Sequence, residues 1–191
     1  MEHEDGVLQL AAATTDVEAA AELVGRIGGT LYVDERPDPS RLPFRALLTV
    51  VTDEPAAVHE VGDVGVYLVL RRLKKAGDAA VLGLFPLVRA EGLSHEAADA
   101  HWRDLHGPLA LTHHGHMSHY TQLSVVENVT GRPLDGFALC GFQSIEDLRE
   151  RFYSTDDGPE VIARDVAQFA DLERSPRRLI VTEQRFPSGG R

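Results

Sequence analysis

Twice along this chain the residues run in the same order: strand, helix, strand, strand, connector, strand. In the first pass VLQLAAA, residues 7–13, reads as a short buried strand, and Asp16 stands where a helix N-cap belongs. Val17, Ala20, Ala21, Val24 and Ile27 then recur at helical spacing, and Gly28-Gly29 closes the helix. TLYVD (30–34), FRALLTVVT (44–52) and VGVYLVL (64–70) are three further strands, rich in apolar and β-branched residues. A turn-rich loop, ERPDPSRLP, separates the first two, and residues 55–60 make a connector of about one helical turn. RRLKKAGD marks a charged junction between the passes.

The second pass opens with a strand over 79–89. Gly92-Leu93-Ser94 hands it to a helix running to about residue 110, capped by Ser94 and favoured at its positive end by Glu91 and Glu96. Strands follow at 120–129 and 137–142, with a Gly131-Arg132-Pro133 turn between them. Residues 145–152 and 159–170 are helical, and 179–186 is the last strand. The repeat is one of pattern only.

That order is the split βαβ of a ferredoxin-like unit. A four-stranded antiparallel sheet with helices on one face leaves its other face bare, and two such sheets can cover each other and close a barrel. The expected fold is therefore α+β: ferredoxin-like halves, 1–77 and 78–187, forming an antiparallel barrel of the dimeric α+β type. The partner sheet comes either from the same chain or from a second copy in a homodimer.

The formal net charge of −11 argues against nucleic acid or an anionic membrane surface as partner, because both need a basic face. The single Cys140 rules out an internal disulfide and fits a reducing, cytoplasmic setting. The start, MEHEDG, lacks the apolar core of a signal peptide, and the apolar runs are far shorter than a membrane span.

Several residues between 82 and 186 carry a resemblance. They are Arg89, Gly92-Leu93-Ser94, His101-Trp102, His106-Gly107-Pro108-Leu109, Tyr120, Gln122, Asp135-Gly136, Phe142, Asp165, Phe169 and Val181-Thr182-Glu183. In order and spacing this stretch resembles the EthD family of dimeric α+β barrel proteins. The resemblance implies a fold similar to small polyketide cyclases and monooxygenases that work without metal or flavin. Family members look like dehydratases or cyclases of aromatic polyketide pathways, or accessory proteins beside ether-degrading oxygenases. One departure stands out: where the family carries a bulky aromatic one turn before the tryptophan, this chain has Ala98. Residues 98 and 102 share a helix face, so either a neighbour fills the space beside Trp102 or the pocket grows.

Six of the nine histidines lie between 101 and 119. His106, one turn after Trp102, is the candidate acid/base, since imidazole exchanges a proton near neutral pH; the alternative is a helix C-terminal histidine bonding the last carbonyls. Asp165 sits among Ile162, Val166 and Phe169 and needs a partner if buried. It either orients His106 or pairs with a base such as Arg89 or Arg164. Tyr120, Gln122 and Ser124 share one strand face, which in a barrel could look into the lumen and hold a substrate oxygen. Arg89 could clamp a carboxylate or phenolate. His101 and Trp102 are candidate pocket walls, and Cys140 reads as core. His113, His114, His116 and His119 look like a metal cluster but lack an accompanying carboxylate or thiolate set, so a polar loop is the plainer reading.

These readings converge on a lyase or cyclase of the dehydratase type that uses no metal or other cofactor. It would act on a small hydrophobic, oxygenated molecule, aromatic or polyketide-like. Catalytic roles fall to His106, Asp165 and Tyr120, and substrate contacts to Arg89, Ala98, His101, Trp102 and Gln122. The rivals are a non-catalytic binding or accessory protein and a cofactor-free monooxygenase.

Overall fold

The structure is a computed structural model that describes residues 6–187. Its strands are β1 (Val7–Thr14), β2 (Gly29–Asp34), β3 (Ala46–Val50), β4 (Gly65–Lys75), β5 (Val81–Leu87), β6 (Met117–Gly131), β7 (Gly136–Phe142) and β8 (Leu179–Phe186). They close one antiparallel barrel in the order β1-β3-β2-β8-β5-β7-β6-β4. One chain thus supplies all eight strands. Within the first four the neighbours run β4-β1-β3-β2, and within the last four β8-β5-β7-β6, the same order. The two sets meet at the β2–β8 and β4–β6 pairings.

Helices cover the outside. α1 (Val17–Ile27) and α2 (Pro55–Val61) belong to the first half. Asp16 caps α1 by accepting from the Ala19 N–H at 3.0 Å, and Gly28 ends it with φ +83°, a conformation that glycine adopts without a Cβ clash. In the second half α3 (His95–His101) runs without a break into a π-helical turn, Trp102–His106, and on into α4 (Gly107–His113). α5 (Ile145–Glu150) and α6 (Gly158–Val166) complete the layer.

Period-two alternation divides the strands' side chains between two cores. Ala11, Leu47, Val69, Leu84, Leu123 and Phe137 point into the barrel. Phe137 meets Tyr67 at 5.3 Å and Phe44 at 6.4 Å, both edge to face, so this stretch of the lumen is packed with rings rather than open. A second core lies under α1 and α2, and a third under the π-turn and α6.

Three expectations need correction. RRLKKAGD is not a junction: β4 continues to Lys75, and Arg72 leaves it to grip Asp99 on α3 through two bonds of 2.7 and 2.8 Å. The histidine-rich loop is short, because β6 begins at Met117. Tyr120, Gln122 and Ser124 do not face the lumen. Leu123 and Val125 do, and the polar row lies outside, against the helices. Alternation separates two faces but does not say which one a barrel turns inward. Among the described residues no helix is long and apolar enough to cross a membrane.

Candidate functional site

The π-turn organises the site. In an α-helix five residues turn about 500°, so residue i+5 points roughly 140° away from residue i. A π-turn bonds i to i+5 and brings that residue back over the first. Here the Gly107 N–H donates to the Trp102 carbonyl, and His101 and His106 come to one side of the helix. Both reach Asp165 on α6: His101 Nε2 lies 2.9 Å from Oδ1 and His106 Nδ1 2.7 Å from Oδ2. The Phe169 ring packs beneath both imidazoles, with centroids at 5.3 and 5.0 Å. A carboxylate beside Nδ1 holds the His106 proton there and leaves Nε2 a lone pair. Burial pushes His106 below the ordinary histidine range, and Asp165 only partly offsets this, so a neutral imidazole meets whatever enters.

Beside it Trp102 Nε1–H and Gln122 Nε2–H both donate to Tyr120 Oη at 3.1 Å. Gln122 also donates to the Trp102 carbonyl at 3.0 Å, which ties β6 to the π-turn. With two donors on its oxygen, the Tyr120 phenol has its own proton left to give. Burial raises its pKa, so it stays protonated. Gly136 on β7 makes room for the indole: a Cβ there would lie 2.5 Å from Trp102 Cζ3.

These groups border a cavity of about 240 Å³ between the outer face of the sheet and the helices, outside the barrel. His106, His114, Trp102 and Tyr120 are its polar side chains, with Cys140, whose thiol burial pushes up to about 12. Phe85, Phe152, Ile162 and Phe169 supply apolar wall, and the half-exposed Tyr153 and the exposed Leu172 form its outer edge.

Of the residues singled out in the sequence, His106, Tyr120 and Trp102 line this cavity, and Asp165 stands behind His106. The other four do not line it. Arg89 is held by Asp135, which accepts from its backbone N–H at 2.8 Å and from its Nη1 at 2.7 Å. His101 braces Asp165, and Gln122 braces Tyr120 and the π-turn. Ala98 borders a separate crevice of only about 10 Å³, so neighbours have filled the space left by the missing ring. The histidine cluster disperses. His113 bonds the Thr155 hydroxyl, His116 lies 3.7 Å from Asp147, and His119 sits in the barrel near Thr121 and the Gly77 carbonyl. Among the described residues no three His, Cys, Asp or Glu side chains group as metal ligands. His114 is the residue that sequence reading missed. The signal was its spacing: 106, 110 and 114 recur every four residues, and all three line the cavity.

This geometry falls inside a recognisable segment. Residues 90–173 match the EthD domain. The EthD segment holds the π-turn, both cavity histidines, Tyr120 and Asp165, while β5, β8 and the whole of the first half lie outside it. No curated protein matches the chain in sequence. Among solved structures, a candidate monooxygenase from Lactobacillus acidophilus NCFM superposes with a TM-score of 0.53 at 10% identity, over 95% of this chain and 94% of its own. An anthrone oxidase-like protein gives 0.53 at 13%, over 96% and 94%. The eight-stranded α+β barrel is thus shared along the full length, at identities that speak for the fold alone.

Proposed function

We propose that the chain is an enzyme that moves a proton on a small apolar, oxygenated molecule held in the cavity beside the EthD segment's π-turn. The observation that carries this is the arrangement of His106. Its Nδ1 is anchored on Asp165, its Nε2 is free of protein partners among the described residues, and the protonated Tyr120 phenol stands in the same cavity. Nε2 takes a proton from an acidic C–H or O–H, and Tyr120 donates to the oxygen on which charge gathers. His101 shares the carboxylate and holds it in place, while Trp102 and Gln122 orient the phenol. None of these steps calls on a metal or flavin. Elimination or ring closure then completes a cofactor-independent lyase or cyclase reaction. We read the two strand sets, residues 1–77 and 78–187, as ferredoxin-like halves; their shared order supports this.

A second reading shares the first step. The two similar structures, a candidate monooxygenase and an anthrone oxidase-like protein, favour direct attack of the deprotonated substrate on dioxygen. A non-catalytic carrier would have no use for the anchored imidazole.

The test is deuterium exchange at the α-carbon of 2-tetralone, a two-ring ketone, followed by NMR in D2O. His106→Ala and Asp165→Asn should each slow the catalysed exchange by about 100- to 10,000-fold with the fold intact, and the double variant should be little worse than the poorer single. Undiminished exchange in folded His106→Ala would overturn the assignment. Oxygen uptake that depends on His106 would select the second reading.

A further inference from the structure

His114 follows α4 as its C-cap and is 3% exposed. Its Nδ1 lies 2.7 Å from the Phe152 carbonyl, which can only accept, so the ring proton sits on Nδ1. The ring is clamped between Phe152, at 4.3 Å between centroids, and Tyr153, at 5.2 Å. Nε2 is therefore a fixed lone pair with no bond to any described residue, on a ring that lines the cavity. A buried acceptor of this kind wants a donor from whatever fills the space. The Tyr120 and Tyr153 hydroxyls line the same cavity but neither bonds it, and Phe85, Phe152, Ile162 and Phe169 are apolar. The volume limits the donor's carrier. A protein cavity of about 150 Å³ accepts benzene, so about 240 Å³ suits one or two fused rings.

We propose that His114 is a specificity residue whose Nε2 accepts a hydrogen bond from a ring hydroxyl, and that the cavity's ligand is a one- or two-ring phenol. This rests on the cavity being the substrate site, and it adds which molecule is selected and by what. His106 and Tyr120 act on the reacting atoms. His114 reads a hydroxyl elsewhere on the ring, so a hydrocarbon of the same shape fits but leaves Nε2 unpaired.

The test is titration calorimetry with 2-naphthol and naphthalene on the whole protein. The wild type should bind 2-naphthol about 10-fold more tightly than naphthalene, the worth of one buried hydrogen bond. In His114→Phe the two should bind within about twofold. His114→Asn, whose amide can still donate to the Phe152 carbonyl, should lose the preference in the same way. Naphthalene binding reports that the cavity is intact in each variant. Equal preference for 2-naphthol in wild type and both variants would overturn the role of His114 while leaving the proton-transfer reading untouched. Binding of neither compound by the wild type would overturn the cavity as a ligand site. A measurement on the wild type alone gives an independent check. The ¹⁵N shift of His114 Nε2 should show the Nδ1–H tautomer and move on adding 2-naphthol but not naphthalene. An Nε2–H tautomer in the free protein would refute the proposal.

Discussion

Acid should unfold this protein earlier than its carboxylates alone would require, and His114 should account for a defined share. Burial is the larger influence on its ring, the bond to Phe152 the smaller opposing one, and its pKa is lowered from the ordinary 6.5 to about 4. The sign follows from linkage. Between pH 6.5 and about 4 the unfolded chain binds a proton at this ring and the folded chain does not. Stability is therefore highest above pH 6.5, falls as the pH drops toward 4, and stops falling on this account below 4. At about 1.36 kcal/mol per pH unit the full gap is worth roughly 3 kcal/mol, most of it between pH 7.5 and 4.5. Asp34, Asp99 and Asp135 are held below the usual carboxylate range, so the stability they confer is lost only at lower pH. His106 and His119 shift in the same direction as His114 and remain in the comparison protein. Urea unfolding of wild type and His114→Phe at pH 7.5 and 4.5 isolates the difference. The wild type should lose roughly 2–3 kcal/mol more than the variant across that interval. Equal losses would mean that the ring is free to ionise in the folded state and is not sealed in the cavity wall.

Two further outcomes follow from the packing. Ala98→Phe should lower stability by about 1–3 kcal/mol in thermal melts and leave 2-tetralone exchange unchanged in the folded fraction, because its crevice of about 10 Å³ cannot hold a ring. Deleting Leu105, whose side chain is mostly in solvent, should turn the π-turn into α-helix and leave the histidine four residues after His101, still on the Asp165 face; exchange should persist while circular dichroism stays near wild type, and loss of exchange in the folded variant would mean that the π-turn's own geometry, not the shared face alone, positions His106.

Much of the fold was legible because period-two and period-3.6 patterns were clean. β8 coincides with the apolar run at 179–186, and α1 with its stripe and its Asp16 cap. The approach of Asp165 to His106 followed from simple chemistry: a carboxylate on an apolar helix face needs a donor, and an imidazole on a facing helix is one. What stayed hidden has physical causes. The π-turn is a slip of one residue in the hydrogen-bond ladder, and WRDLH carries no proline or glycine to mark it. The inward face of β6 depends on closure of the barrel by the first half, which local alternation does not report. Arg89 read as a substrate clamp because its partner, Asp135, lies 46 residues away in sequence, just before β7. His114 was lost among neighbouring histidines whose surroundings proved unrelated.

The two halves have the same strand order but not the same outer layer, and side-chain shape explains the cavity in the second. Under α1 and α2 the layer is built from Ala12, Ala20, Ala46, Val24, Leu31 and Leu48, small or flexible groups that close on one another. Under the π-turn it is built from rings: Trp102, Phe152, Phe169, His106 and His114. Flat rings hold fixed directions, and several here are pinned by hydrogen bonds or by one another. They cannot bend to fill the space opposite Ala110 and Ala138, whose side chains are single methyl groups. The gap therefore persists, and imidazole and phenol edges give it polar atoms. The first half contributes rigidity. Arg72 on β4 fixes Asp99 on α3, three residues before Trp102, with 6% of the arginine side chain and 13% of the aspartate exposed. Removing one partner of so buried a pair commonly costs about 3–5 kcal/mol. The helix that carries the chemistry is thus pinned at its start to the first half, outside the EthD match, and at its centre to Asp165, inside it.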